Sequence, residues 1–548
     1  MKQLTYVKIA LLGAILILFA ACQSQTNSTK TSKADDTYEN PILRGFYPDP
    51  SICKVGDDYY MVNSSFEWFP GVPIHHSKDL VNWEPIGHVL DRPGQLQITE
   101  GMAASRGIFA PVIRYHEGTF YMITTCVGCN GNFYVTATDP AGPWSDPIWI
   151  DTPGIDPEFF WDEDGTCWYV GAHNISGKRE WEGQNGIFIQ QFDLENKTLV
   201  GEPVQATFGH ATNAVWGEGP HLYKIDGRYM LMIAEGGTSI HHAITVFESD
   251  KVNGKYTPSL INPVLTHRHL GADYPIMAVG HCDIVETQNG EWWATMLAIR
   301  QCDGMNLLGR ETYLAPLELE DGWPVFNRGK GTVDFKHKRP NLPWTPVEPY
   351  PVRDEFDNDE LALKWIFLRT PYEKWYSITD GKIAFDVRPQ MMTKLEQPSL
   401  LAQRITEFTF DAFVHVDFTP ASNNEEAGFV AMYNNMRNFR LIKTADNGQA
   451  VVKLYRVKEG DQQLVASQNV DDGPLVLGLK ADRLEYRFYY GSDKNSLKPI
   501  GDVQDASVNA SQSGLDFTGP VVGFYASSNG QPSDSKAVFD WFEYDDKR

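Results

Sequence analysis

The feature that most constrains this chain is a five-fold return of one short pattern. It first appears as Tyr47-Pro48-Asp49-Pro50-Ser51-Ile52, then a Gly56-Asp57-Asp58 turn, then the aromatic run Tyr59-Tyr60. It returns as Ala110-Pro111-Val112-Ile113 with Gly118-Thr119-Phe120-Tyr121, and as Asp156-Pro157-Glu158-Phe159 with Gly165 to Tyr169. The last two copies are Gly219-Pro220-His221-Leu222 with Gly227 to Met230, and His281-Cys282-Asp283-Ile284 with Gly290 to Trp293. Aligning Tyr60, Tyr121, Tyr169, Met230 and Trp293 gives spacings of 61, 48, 61 and 63 residues. Repeats of that length, strand-like and punctuated by Gly and Asp turns, predict propeller blades, and five copies predict five.

The first strand of a blade normally lies nearest the central axis. The residues that open those strands are Asp49, Ala110, Asp156, Gly219 (with Glu218 just before it) and His281. Three carboxylates and a histidine are thereby expected to converge on one pocket. A single such acid could simply cap a strand turn. Three at the same point of a repeat mark a site instead, because unpaired carboxylates are costly to bury. Two carboxyl groups facing each other across a pocket are what glycoside hydrolysis requires: one ionised to activate water, one protonated to donate to the leaving oxygen. A third carboxylate beside the acid would raise its pKa by like-charge repulsion.

Beyond the repeat, Arg339 to Val352 holds Pro340, Pro343, Pro346, Pro349 and Pro351, a stiff connector that marks a domain boundary. The period-2 pattern resumes after it. Val414, Val416 and Phe418 alternate with His415 and Asp417, and Leu484, Tyr486, Phe488 and Tyr490 alternate with Glu485 and Arg487. Short strands without a 3.6-residue period predict a β-sandwich. The expected organisation is all-β: a leader over 1–22, a flexible tether over 23–37, a five-bladed β-propeller over 38–338, the connector over 339–352 and a β-sandwich over 353–548.

At the N-terminus, Lys2 and Lys8 precede an apolar run from Ile9 to Ala21, too short for a comfortable membrane span and read as a signal peptide. It ends Leu18-Phe19-Ala20-Ala21-Cys22, which resembles a bacterial lipoprotein processing site, although Phe19 is unusual there. Cys22 is the expected lipidated residue, and the protein is expected to be exported and held at a bacterial outer membrane, on its periplasmic or outer side. Cys126-Val127-Gly128-Cys129 is a lone CxxC without two further ligands at a matching spacing, so a local disulfide or a pair of buried thiols is expected rather than zinc. The net charge of −24 excludes nucleic acid as a natural partner.

These motifs resemble glycoside hydrolase family 43, in its branch of β-xylosidases and α-L-arabinofuranosidases with a C-terminal concanavalin-like sandwich. Tyr47-Pro48-Asp49-Pro50-Ser51 resembles the general-base segment, Gly154-Ile155-Asp156-Pro157 the segment of the pKa-tuning aspartate, and Glu218-Gly219-Pro220-His221-Leu222-Tyr223-Lys224 the general-acid segment. The run from Phe66 through Leu80 is a long match to the xylosidase-like branch. Gly280-His281-Cys282-Asp283 resembles the central-histidine motif, and Leu308-Gly309-Arg310-Glu311-Thr312 the segment whose arginine contacts the terminal sugar.

The resemblance implies an exo-acting, inverting hydrolase of xylo- or arabino-oligosaccharides, with Asp49 as base, Glu218 as acid and Asp156 as modulator. A β-xylosidase is the first expectation and an α-L-arabinofuranosidase the alternative. Arg310, His281, Phe66, Phe109 and Phe517 are the expected substrate-side residues, with His281 in a binding or structural role near substrate or a water-coordinated cation. Phe109 stands where the family usually has Trp, and Glu158, on the same face of a regular strand as Asp156, competes for its role. Phe517, in Asp516-Phe517-Thr518-Gly519-Pro520, is expected to reach the pocket rim and contact the leaving sugar. No cofactor is required for the chemistry. A structural calcium in the sandwich is a further expectation, with Asp354 and Asp540 as the acids to test. A retaining fructan-cleaving enzyme is disfavoured, since the matching places read Pro-Asp-Pro-Ser, Ile-Asp-Pro-Glu and Glu-Gly. A non-catalytic glycan-binding lipoprotein is disfavoured by the intact acid triad.

Overall fold

The computed structural model describes residues 36–511 and 516–548. The leader, most of the tether and Cys22 lie outside the described residues. Five four-stranded antiparallel sheets follow one another in the first part of the chain, each a simple meander. Their innermost strands are Ser51–Val55, Gly107–His116, Ile155–Trp161, Glu218–Ile225 and Ile276–Glu286. Each copy of the sequence repeat supplies the inner strand, a tight turn and the second strand, as in Val55↔Asp58 and Ile225↔Arg228. The ring is the five-bladed propeller expected from the repeat. Its two ends meet where Thr37–Glu39 pairs antiparallel with Lys336–Lys338, and Asn40 donates to the carbonyls of Leu314 and Asp334.

The outer tryptophans pack inside the blades: Trp83 donates to the Leu80 carbonyl and Trp144 to the Pro140 carbonyl, and both are buried. Cys126 and Cys129 form a disulfide, while Cys53, Cys167, Cys282 and Cys302 are free and buried.

The second part is a sandwich of two sheets. One is built around Lys536–Asp545 and Thr409–Asp417, the other around Glu426–Asn434 and Val521–Ser527. Val414, Val416 and Phe418 face the shared core with Phe429, Phe439, Phe524 and Phe539, while Asp417 stays exposed. That alternation is the physical content of the period-2 pattern.

The connector is pinned as it crosses between the domains. The amide of Asn341 donates to Glu291, and that of Thr345 to Asp79. A second junction was not legible in the sequence. Trp68–Phe69, from the blade-one segment, pairs with Ile366–Leu368 and forms an edge of a sandwich sheet, with Phe69 opposite Phe367 and Trp68 opposite Leu368. Trp68 is fully buried and its indole donates to the Thr518 hydroxyl.

Candidate active site

The mouths of the inner strands are irregular at matching places. The pairing register shifts between Phe109 and Val112, Ile155 and Glu158, Glu218 and His221, and Gly280 and Cys282. The backbone is left-handed at Asp49 (φ 52°), Asp156 (φ 54°), Gly219 (φ 55°) and His281 (φ 48°). Such a backbone is uncommon outside glycine, and bulges of this kind re-aim side chains at the rim of a sheet. Strain repeated at equivalent points of several blades is the mark of a functional constraint.

Around these residues lies a cavity of about 320 Å³. Asp49, Asp156, Glu218, His281, Arg310, Phe66, Phe109 and Phe517 all line it. The eight residues expected at the catalytic and substrate side are therefore brought together, whereas Asp354 and Asp540 lie elsewhere, in the sandwich. Trp216 and the loop Gly236 to Ser239, which sequence reasoning passed over, line it too.

The three carboxyls sit in different electrostatic surroundings. Asp49 receives hydrogen bonds from Arg310 Nη1 at 2.9 Å and from the Ser64 hydroxyl at 2.6 Å, and His281 Nδ1 stands 3.8 Å away. Burial pushes its pKa up, but Arg310, His281 and Ser64 outweigh burial and hold it below the ordinary value. Glu218 moves the opposite way. Burial first, then the charges of Asp156 and Asp49, raise it to about 8. Asp156 is also raised, by burial and then by Asp49, against a hydrogen bond from the Gly219 amide at 3.0 Å. Burial pushes His281 down to about 4, so its ring is neutral near pH 7.

Arg310 also lies against two stacked rings. Its guanidinium carbon lies 5.6 Å from the centre of Phe66 and 5.3 Å from that of Phe517, a cation–π arrangement. Its Nη2 donates to the Phe517 carbonyl at 3.3 Å. Phe66 and Phe517 stack at 6.3 Å, and Phe109 meets both edge-on. The Ser105 hydroxyl accepts from the amides of Phe517 and Thr518, which holds this sandwich segment in the pocket wall. Phe517 thus belongs to the wall around Arg310.

A second polar layer lies two residues further along the inner strands, at Ser51, Glu158, His221 and Asp283. Arg114 ties it together, donating through Nε to Glu158 at 2.9 Å and through Nη1 to Asp283 at 2.8 Å, with Nη2 2.9 Å from His221 Nδ1. Tyr223 and Ser51 also donate to Asp283, whose carboxyl is pushed well down against burial by Arg114. Asp156, the residue expected as modulator, lines the cavity, while Glu158, two residues on and one layer deeper, is bound to Arg114 and to the Leu222 amide. The period-2 step from each pocket residue was the signal that could have found this layer.

Asp354 and Asp540 are each engaged by neighbouring groups. Asp354 accepts from the Trp365 indole and pairs with Lys364, and Asp540 pairs with Lys382 at 3.3 Å. Among the described residues, no group of three or more His, Cys, Asp or Glu is placed to hold a metal ion.

Comparison with known proteins adds the following. The model of glycosyl hydrolases family 43 matches residues 38–324, and that of the beta xylosidase C-terminal concanavalin A-like domain matches residues 353–545. A "Xylosidase/arabinosidase" of Butyrivibrio fibrisolvens is 41% identical over 92% of this chain and 98% of its own length. A "Non-reducing end alpha-L-arabinofuranosidase" of Bacteroides ovatus is 38% identical over 94% of this chain and 96% of its own. The solved structure of a xylan beta-1,4-xylosidase from Bacillus halodurans superposes with a TM-score of 0.88 at 33% identity, covering 93% of this chain and 100% of the other.

Proposed function

The chain belongs to glycosyl hydrolases family 43 and hydrolyses O-glycosyl bonds, and on that premise we propose that it is an exo-acting, inverting glycosidase releasing xylose, arabinose or both from hemicellulose oligosaccharides. The observation that carries this reading is the opposite displacement of two carboxyls on one cavity: Asp49 is held ionised and Glu218 protonated. Asp49 takes a proton from water as the water attacks the anomeric carbon. Glu218 gives its proton to the departing oxygen. Asp156 contributes a neighbouring charge that keeps Glu218 protonated near neutral pH. Arg310, held by Asp49 and lying against Phe66 and Phe517, is placed to hold the terminal sugar. A cavity walled by several blades and a sandwich segment suits a chain end better than a chain passing through.

Relatives described as xylosidase/arabinosidase and as α-L-arabinofuranosidase support a pentose at the chain end. β-Xylosidase activity is the first expectation and α-L-arabinofuranosidase activity the second. The test is a panel of aryl β-D-xylopyranosides and α-L-arabinofuranosides, followed by proton NMR of the first-formed sugar. Hydrolysis with an inverted anomer is expected; a retained anomer, or an inert protein, sinks the reading. Export and lipidation at Cys22 belong to the same proposal and rest on the leader sequence alone. Labelled palmitate should enter the wild-type protein and not Cys22→Ala.

A further inference from the structure

Among the described residues, Trp216 is the one large apolar residue that combines membership of the cavity wall with wide exposure: it lines the cavity and is 42% exposed. It stands two residues before Glu218. Its backbone is left-handed (φ 55°), which a bulky residue adopts only when the surroundings impose it.

Those surroundings are fully visible. The Trp216 amide donates to the Gly183 carbonyl at 2.9 Å, and the Gly236 amide to the Val215 carbonyl at 2.9 Å. Trp181 donates to the Ala214 carbonyl and Asn185 to the Gly217 carbonyl. At the far end of the loop, Glu235 accepts from the His210 amide and lies 2.6 Å from His210 Nδ1. Two glycines complete the cradle. A Cβ on Gly183 would stand 3.2 Å from Trp216 Cε2, and one on Gly237 would stand 3.2 Å from Cδ1. Both glycines are themselves left-handed, at φ 73° and 72°. Their missing side chains let two loops press on the indole, which is fixed in place yet open to solvent.

A rigid, exposed indole in a cavity wall is a stacking surface for a ring with an apolar face. Its position says which ring. Arg310, Phe66, Phe109 and Phe517 gather over blades five, one and two. Trp216 lies over blades three and four, in the segment leading into Glu218. The proton from Glu218 goes to the oxygen of the departing group, so a ring on the Glu218 side is the leaving sugar. We propose that Trp216 forms a leaving-side subsite that binds a sugar ring by its apolar face, with the hydroxyls of Thr238 and Ser239 on the same rim. The inference rests on the glycosidase reading above. It moves the principal contact with the leaving sugar from Phe517, which is engaged with Arg310, to Trp216.

The experiment compares two poor leaving groups that both need Glu218: a second pentose, as in xylobiose or the matching arabinose disaccharide, and methanol, as in the methyl glycoside. Wild type should favour the disaccharide. Trp216→Ala should lower kcat/KM for the disaccharide by roughly tenfold and leave the methyl glycoside within about twofold, with most of the loss recovered in Trp216→Phe. The alkaline limb of the pH profile should stay in place, because Glu218 is undisturbed. An equal fall on both substrates, or a moved alkaline limb, would make Trp216 a support for Glu218 and overturn the proposal. No change on either substrate would overturn it as well. A wild-type protein inert on both would remove the glycosidase reading, and the subsite with it.

Discussion

Arg310 Nη1 lies 2.9 Å from Asp49 Oδ1, joining the third strand of blade five to the mouth of blade one across the closure of the ring. Both groups are buried, so removing one partner strands the other as an uncompensated buried charge. Arg310→Met should therefore raise the pKa of Asp49. Since the base works only when ionised, the acid limb of the kcat/KM profile should move to higher pH, alongside a loss of about 10²-fold or more. An unmoved acid limb would mean that Arg310 serves only to hold sugar.

In the proposed mechanism the opposite limb belongs to Glu218, which must be protonated. Burial comes first and Asp156 second among the causes that raise it to about 8. Removing the neighbouring charge in Asp156→Asn should lower the Glu218 pKa and bring the alkaline limb to lower pH. A pH–rate series on an unactivated disaccharide measures this, and a limb that rises or stays would disprove the coupling.

The two carboxyls proposed as base and acid should separate by leaving group. Glu218→Ala should cost about 10²- to 10⁴-fold on disaccharides and much less on dinitrophenyl glycosides, whose leaving groups need little protonation. Asp49→Ala should lose activity on both, since no base remains. Equal damage by Glu218→Ala to both substrate types would remove its assignment as acid.

Glu67 carries a prediction about stability. It is buried between the domains, accepts from the Ser105 amide at 2.9 Å, and is raised by burial to about 7. A carboxyl whose folded pKa exceeds its unfolded one binds more protons in the native state. Its contribution is full at acid pH and is lost as pH rises between about 4.5 and 7. Glu67→Gln, which can still accept from Ser105, should raise the melting temperature at pH 8 and leave it nearly unchanged at pH 4. An equal gain at both pH values would refute the linkage.

The legible part of this molecule is the part that repeats. Asp49, Asp156, Gly219 and His281 could be aligned because each occupies the same point before a Gly turn, and that point faces the axis. Glu158 shares the two-residue period with Asp156, but only its partners Arg114 and the Leu222 amide place it one layer deeper. Arg114 was invisible because its partners come from four other blades, at no fixed sequence distance. Trp216 lies in a loop outside the repeat, and only the approach of Gly183 and Gly237 distinguishes it from an ordinary surface tryptophan. Trp68 and Phe69 read as part of a family motif, but nothing local announced that their backbone would pair with a strand some three hundred residues away.

That pairing bears on how such a protein can be taken apart. Cutting at the proline-rich connector would leave Ile366–Leu368 with one side unpaired and Trp68 bare on the other fragment. The first is a sticky margin open to any passing strand, and the second an apolar patch where a partner used to be. A chain cut back to the propeller would also lose Phe517 from the pocket wall, so the sandwich closes the cavity as well as covering Trp68.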